Sequence, residues 1–198
     1  MEQPIDYTET QINDLIKGIY AGEITMQKLP VDLYLAIAKV LNKGVAKGMI
    51  DAKFGKASKA LRTELTENIY IFSGGKTFQQ VREMQKYLLD ADGYILPYNE
   101  FKKVADVIFD KYNKTWLETE YITAIGQAAT AVKWEDIQKY KNIFPYLRYN
   151  AVMDAHTSEI CKVLNRTTLK VDDSFWDTHS PLQHFRCRCV LEQLEEAE

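Results

Sequence analysis

Apolar residues recur at helical spacing through most of the first 142 positions. Ile12, Leu15, Ile16 and Ile19 give one apolar face to a helix from Thr8 to about Ala21, with Thr8 and Gln11 as a capping box and Gly22 as its stop. A longer helix opens near Pro30, a residue suited to a first turn. Its stripe is Leu33, Ile37, Val40, Leu41 and Val45, and Gly44 and Gly48 weaken its end. Leu61, Leu65, Ile69 and Phe72 predict a third helix, which Ser73-Gly74-Gly75 stops. Thr77 and Gln80 then form a second capping box ahead of Phe78, Val81, Met84 and Leu88. Asp90-Ala91-Asp92-Gly93 reads as a plain turn. As a calcium loop it fails, because the glycine comes too early and no glutamate closes it.

From Pro97 to about Asn142 there is no proline and a single glycine, Gly126. Phe101, Val104, Ile108, Tyr112, Trp116, Tyr121, Ile125, Ala129 and Val132 recur every three to five residues, predicting one long helix or two nearly collinear ones. A single helix here would reach roughly 65 Å. That length suits a projecting or bundled assembly element, and its aromatic residues read as packing. Near Pro145 the period changes. Tyr146 to Val152 alternates, with Leu147, Tyr149 and Ala151 on one side, which predicts a strand. A short helix after Thr157, a strand over 167–171, a loop from Asp172 to Pro181 and a third strand from Arg188 to Leu194 complete the chain. The expected fold is mainly α with a small α+β C-terminal module. A helical body over 1–142 includes the long helix, and 143–198 holds a small antiparallel sheet with a Cys/His-rich loop.

Composition narrows the function classes. Of 198 residues, 46% are hydrophobic and 27% charged, an ordinary globular mixture. The formal charge of −3 gives no global attraction to DNA or an anionic membrane. Lys39, Lys43, Lys47, Lys53, Lys56 and Lys59 read as a solvated face. No run of about 18 apolar residues occurs, so no membrane span is expected. Met1-Glu2-Gln3-Pro4 lacks the basic start of a signal peptide, so folding in a cytoplasm is expected. Three cysteines, an odd number, argue against a disulfide framework in such a compartment. There is no Walker loop, dinucleotide fingerprint or zinc-protease motif.

The chemistry gathers late in the chain. Tyr149-Asn150-Ala151-Val152-Met153-Asp154-Ala155-His156-Thr157 is followed by Cys161, by Phe175-Trp176, and by Pro181-Leu182-Gln183-His184-Phe185-Arg186-Cys187-Arg188-Cys189. This spaced set resembles the phage Mu F-like minor head proteins. Their C-terminal module carries a strand ending in Asp-x-Arg-Thr, a Cys or His a few residues on, a Trp-containing loop and Pro-Pro-x-His-Pro-x-Cys-Arg-Cys. Asp154, Thr157, Cys161, Trp176, Pro181, His184, Cys187, Arg188 and Cys189 match. His156 replaces the arginine, Leu182 and Phe185 stand where prolines are usual, and Ser158 sits where some relatives have an extra cysteine. Trp116 to Tyr121 and Pro145 to Tyr149 also look like this family. The resemblance implies a minor head protein that binds phage portal and capsid or scaffold proteins during head assembly and DNA packaging or delivery. It implies a place inside the virion head, and in the host cytoplasm during assembly. Contact with packaged DNA would be indirect, with no membrane and no small-molecule substrate.

The same residues have two physical readings. In one the module is stapled locally: Asp154 and Thr157 accept backbone hydrogen bonds at the next helix, Trp176 and Phe175 plug the loop, and Arg188 grips a carboxylate such as Asp154. The thiols are then small buried apolar groups. In the other, Cys161, His184, Cys187 and Cys189 hold a structural zinc. An enzymatic alternative, a zinc-dependent hydrolase or nuclease of a phage-derived toxin type, would use His156, His179 or His184 with the cysteines. No orienting partner or oxyanion site is recognisable for it, so no catalytic residue is assigned.

Overall fold

The computed structural model describes residues 5–51 and 56–197. The Met1–Pro4 segment and Lys53 lie outside them. The chain forms two compact units, Met1–Lys43 with Thr66–Tyr121, and Gly44–Leu65 with Ile122–Glu198. The packing thus groups residues differently from a 1–142 and 143–198 division. The second unit takes in helical stretches as well as the C-terminal module.

In the first unit, α1 (Glu9–Tyr20) starts on the Thr8 capping box, and Gly22 follows it at φ 74°. This unit also holds α2 (Val31–Asp51) as far as Lys43, α3 (Lys59–Gln85) from Thr66, and α4 (Tyr98–Asp110). Ile16, Ile19, Leu33, Ile37, Leu41, Met84, Phe101 and Phe109 form its core. Tyr7 stacks on Phe109 and donates to Asp32 Oδ2 at 2.6 Å. At the 90–93 turn the Asp90 carboxylate accepts from the backbone of Asp92 and Tyr94, and Gly93 takes φ 84°. This is the self-bonded turn of an aspartate.

The predicted stop at Ser73-Gly74-Gly75 is not there, because α3 runs through it. Two glycines cost a helix about 1 kcal/mol each. Burial of the apolar side chains Val81 and Met84 on the same helix offsets that cost. Thr77 is no N-cap; its hydroxyl donates back to the Ser73 carbonyl at 2.8 Å. Lys76 and Glu120 form a buried ion pair in this unit, Nζ to Oε2 at 2.8 Å.

The long helix is present, with a feature that periodicity did not reveal. Between α4 and α5 (Leu117–Tyr140) lies a π-helical stretch, Lys111–Trp116, so helical backbone is continuous from Tyr98 to Tyr140. Buried Asn113 bonds the Phe109 carbonyl at 3.0 Å and Gln80 Oε1 at 3.2 Å. A side chain inserted among the backbone carbonyls is a recognised companion of such a bulge.

In the second unit, Gly48 of α2 packs on α5. A Cβ there would lie 2.1 Å from the Ile125 carbonyl oxygen, so only glycine permits this approach. The module is a three-stranded antiparallel sheet in the order β2 (Thr168–Lys170), β1 (Tyr146–Asn150), β3 (Val190–Leu194). Short helices α6 (Glu159–Leu164) and α7 (Phe175–His179) flank it. The 172–181 segment expected as loop therefore contains a helix, held by the Trp176 indole donating to the Lys170 carbonyl at 2.8 Å. Leu147, Tyr149, Ile137, Trp176, Leu191 and the three cysteines share one core. Among the described residues, no helix is long and apolar enough to cross a membrane.

Candidate metal centre

Ser158 begins the local construction. Its hydroxyl accepts from the Cys161 backbone N–H at 3.3 Å and caps α6. Cys161 is the buried residue of that helix. The cap belongs to Ser158, not to Asp154 or Thr157 as the sequence suggested. Asp154 instead accepts from the His156 N–H at 2.9 Å and from the Thr157 hydroxyl at 3.1 Å, inside the loop after β1.

A tight turn ahead of β3 supplies the second wall. The Cys187 N–H donates to the His184 carbonyl at 3.2 Å, and Arg186 between them takes φ 60°. His184 and Cys187 thereby face Cys161. The ligand atoms of these three lie within 4.8 Å of one another. Cys161 Sγ is 3.0 Å from His184 Nε2 and 3.8 Å from Cys187 Sγ. Ser158 Oγ lies 3.0 Å from the same Nε2. His184 Nδ1 is 2.9 Å from the Phe185 carbonyl, so Nδ1 carries a proton and Nε2 is the ring nitrogen that faces the thiols.

Cys189 stands outside the mutual 4.8 Å set, but its thiol is buried and borders the same space. Tyr149 Oη also lies 3.6 Å from Cys161 Sγ. All three thiols are free and buried. The space between the groups is about 10 Å³, rimmed by Val152, His156, Arg186 and Arg188 as well as the cysteines and His184.

Electrostatics follow from this crowding. Burial works to raise the Cys161 thiol, but hydrogen bonds from Ser158, His184 and Tyr149 outweigh it and bring it down to about 6. The hydrogen bond that His184 makes to Cys161 raises His184 in turn, with the Phe185 carbonyl acting the same way. Cys189 is pushed up to about 12, chiefly by burial. Burial and the bonds to Cys189 and Cys161 push Tyr149 up as well. One thiol is thus prepared to give up its proton beside an imidazole, while its neighbour retains its own.

The other residues singled out by sequence sit elsewhere. Trp176 and Pro181 line an open groove of about 570 Å³ with Leu61, Trp134 and Leu182, none of which borders the space at the cysteines. Leu182, which stands where the resemblance led one to expect a proline, takes φ 70° and packs its methyl groups over Gly126. Proline cannot adopt that angle. Arg188 binds Asp154 in a fork at 2.7 and 2.8 Å. His179 stacks on Phe175 in α7 and does not line the space at the cysteines. Ser158 and Tyr149 were missed by sequence reasoning. A serine three positions before a cysteine at a helix start is the local signal that identifies Ser158, whereas nothing local marks Tyr149.

Comparison with known proteins agrees with the resemblance in the motif. The family model described as Phage Mu protein F like protein matches residues 36–192. The putative capsid assembly protein F of Escherichia phage Mu is 32% identical over 81 residues, 41% of this chain and 18% of that protein. The Mu-like prophage FluMu F protein of Haemophilus influenzae is 35% identical over 83 residues, 42% of this chain and 19% of that protein. The match therefore spans under a fifth of the length of either relative. No solved structure matches.

Proposed function

From the premise that this chain belongs to the phage Mu protein F-like family, we propose that it is a head-morphogenesis protein. It acts by binding portal, capsid or scaffold proteins while the head is assembled and DNA is packaged or delivered. The observation that carries this reading is the family match over residues 36–192, which takes in the helical stretches and the C-terminal module together. One matched relative bears the name of a capsid assembly protein. The site of action on this reading is the head interior, reached from the host cytoplasm, with contact to DNA indirect.

Surface chemistry supports a binding role. The outer face of α6 carries Ile160 and Val163, 60% and 81% exposed, and Val152, Met153 and Phe185 are exposed in neighbouring segments of the module. Exposed apolar side chains on and beside one short helix suit a surface that meets another protein. Catalysis fits the geometry poorly. Cys161 and His184 form a nucleophile-like pair, but a space of about 10 Å³ admits nothing larger than a water molecule. Of the three histidines of the enzymatic alternative, His156 and His184 border this space, whereas His179 lies on α7.

The test is co-expression with the portal and major capsid proteins of the same phage genome, followed by affinity capture through a tag on this chain. Co-purification of a head component, lost in the Ile160→Asp/Val163→Asp variant, is expected. Failure to capture either protein, with all partners folded, overturns the reading.

A further inference from the structure

We propose that Cys161, His184, Cys187 and Cys189 bind one zinc ion in a closed structural site that ties α6 to the turn before β3. The donor set comes first. Three thiols and an imidazole, drawn from two stretches of chain, form the combination that selects zinc over the oxygen-seeking cations. The four are not spread over a surface; they line one small space of about 10 Å³, the size of a single atom or water molecule.

Distances and connectivity agree. A tetrahedron with zinc–sulfur bonds of about 2.3 Å has sulfur–sulfur edges of about 3.8 Å. Cys161 Sγ and Cys187 Sγ are 3.8 Å apart. The chelating turn is His184-Phe185-Arg186-Cys187, with two residues between ligands, not the one-residue spacing of Cys187 and Cys189. Two-residue spacing is the usual one in structural zinc sites. Here it is closed by the Cys187 N–H to His184 carbonyl bond. His184 is also held as zinc-binding histidines are held: Nδ1 is committed to a backbone carbonyl, so Nε2 is the ligand atom. Cys189 borders the same space and supplies the fourth ligand; it lies outside the mutual 4.8 Å set of the other three, so metal binding draws it in.

Charge and stability give the site a purpose. Each thiol enters as thiolate and releases its proton to solvent, so zinc with three thiolates and a neutral imidazole carries a net charge of −1. Arg186 and Arg188 line the same space. Four protein ligands leave no open position for a water nucleophile, which makes the site structural. The sheet it serves is small, with strands of five, three and five residues, and such modules need a staple beyond their own core. Zinc binding does not depend on which head component the chain meets, so this inference and the assembly role stand or fall separately.

The test uses the full chain expressed in zinc-supplemented medium, desalted, and analysed for metal by mass spectrometry. One zinc per chain is expected, with loss of that zinc in Cys187→Ser and in His184→Ala and retention in His179→Ala. Because ligand variants can misfold, wild-type chain stripped of metal is also titrated with cobalt. A thiolate-to-cobalt charge-transfer band, saturating at one equivalent, is expected. Folded wild-type chain with neither zinc nor a cobalt band overturns the proposal. So does isolation with Cys161 and Cys187 joined as a disulfide, or a His184→Ala variant that keeps its zinc.

Discussion

Arg188 holds Asp154 across 34 positions of sequence through two parallel hydrogen bonds, Nη1 to Oδ2 at 2.8 Å and Nη2 to Oδ1 at 2.7 Å. The fork fixes the loop that leads from β1 to α6, the helix of Cys161, to the segment entering β3, which carries Cys187 and Cys189. The Arg188 hydrogen bonds, joined by the His156 N–H, hold the Asp154 carboxyl well below the usual carboxylate range. A depressed carboxylate contributes its stability above its unfolded pKa, about 4, and loses it as pH falls from there toward the folded value. Thermal melts of wild type and Asp154→Asn between pH 7 and pH 3 should therefore converge as pH falls. A gap that stays constant down to pH 3 would show that the pair contributes nothing through its charge.

Gly48 and Gly75 are both helical glycines, yet opposite outcomes are expected on substitution. At Gly48 an added methyl meets the Ile125 carbonyl oxygen and the Ala128 Cβ, so Gly48→Ala should cost about 1–3 kcal/mol. At Gly75 it meets nothing within 4 Å, so Gly75→Ala should be neutral or stabilise by up to about 1 kcal/mol. Denaturant unfolding of the two variants checks the sign of each.

Lys76 and Glu120 have side chains only 3% and 10% exposed. Burial lowers the Lys76 pKa and raises that of Glu120, while each partner's charge opposes the shift. Removing one partner strands the other without a counter-charge. Lys76→Met is expected to cost about 3 kcal/mol, and Lys76→Met/Glu120→Leu to recover most of it. Additive losses in the double variant would contradict a coupled pair.

Leu182 departs from the proline usual at its position in the resembling proteins, and its φ of 70° excludes proline. Leu182→Pro should destabilise the module by more than about 1 kcal/mol, since the ring demands a negative φ. An unchanged melting temperature would mean that this loop adopts another conformation in solution.

Periodicity, with the Thr8 capping box, specified α1, the long helical run and the strands of the module in outline. These features are local, because a capping box or an alternating strand is written in residues a few positions apart. The cysteines and His184 were legible as ligand types for the same reason, since chemistry belongs to the side chain. The tertiary structure decided the rest. Ser73-Gly74-Gly75 reads as a break, but burial along one face of α3 outweighs two unfavourable glycines, and burial is a property of distant partners. Gly48 reads as a weak helix end, and only the approach of α5 makes it a requirement. Likewise Cys187 and Cys189 suggest a pair by their spacing. A turn with Arg186 in the left-handed region instead presents Cys187 with His184, and Ser158 and Tyr149 join from elements brought alongside only by the fold. Which side chains meet depends on chain reversals and packing that no local pattern encodes.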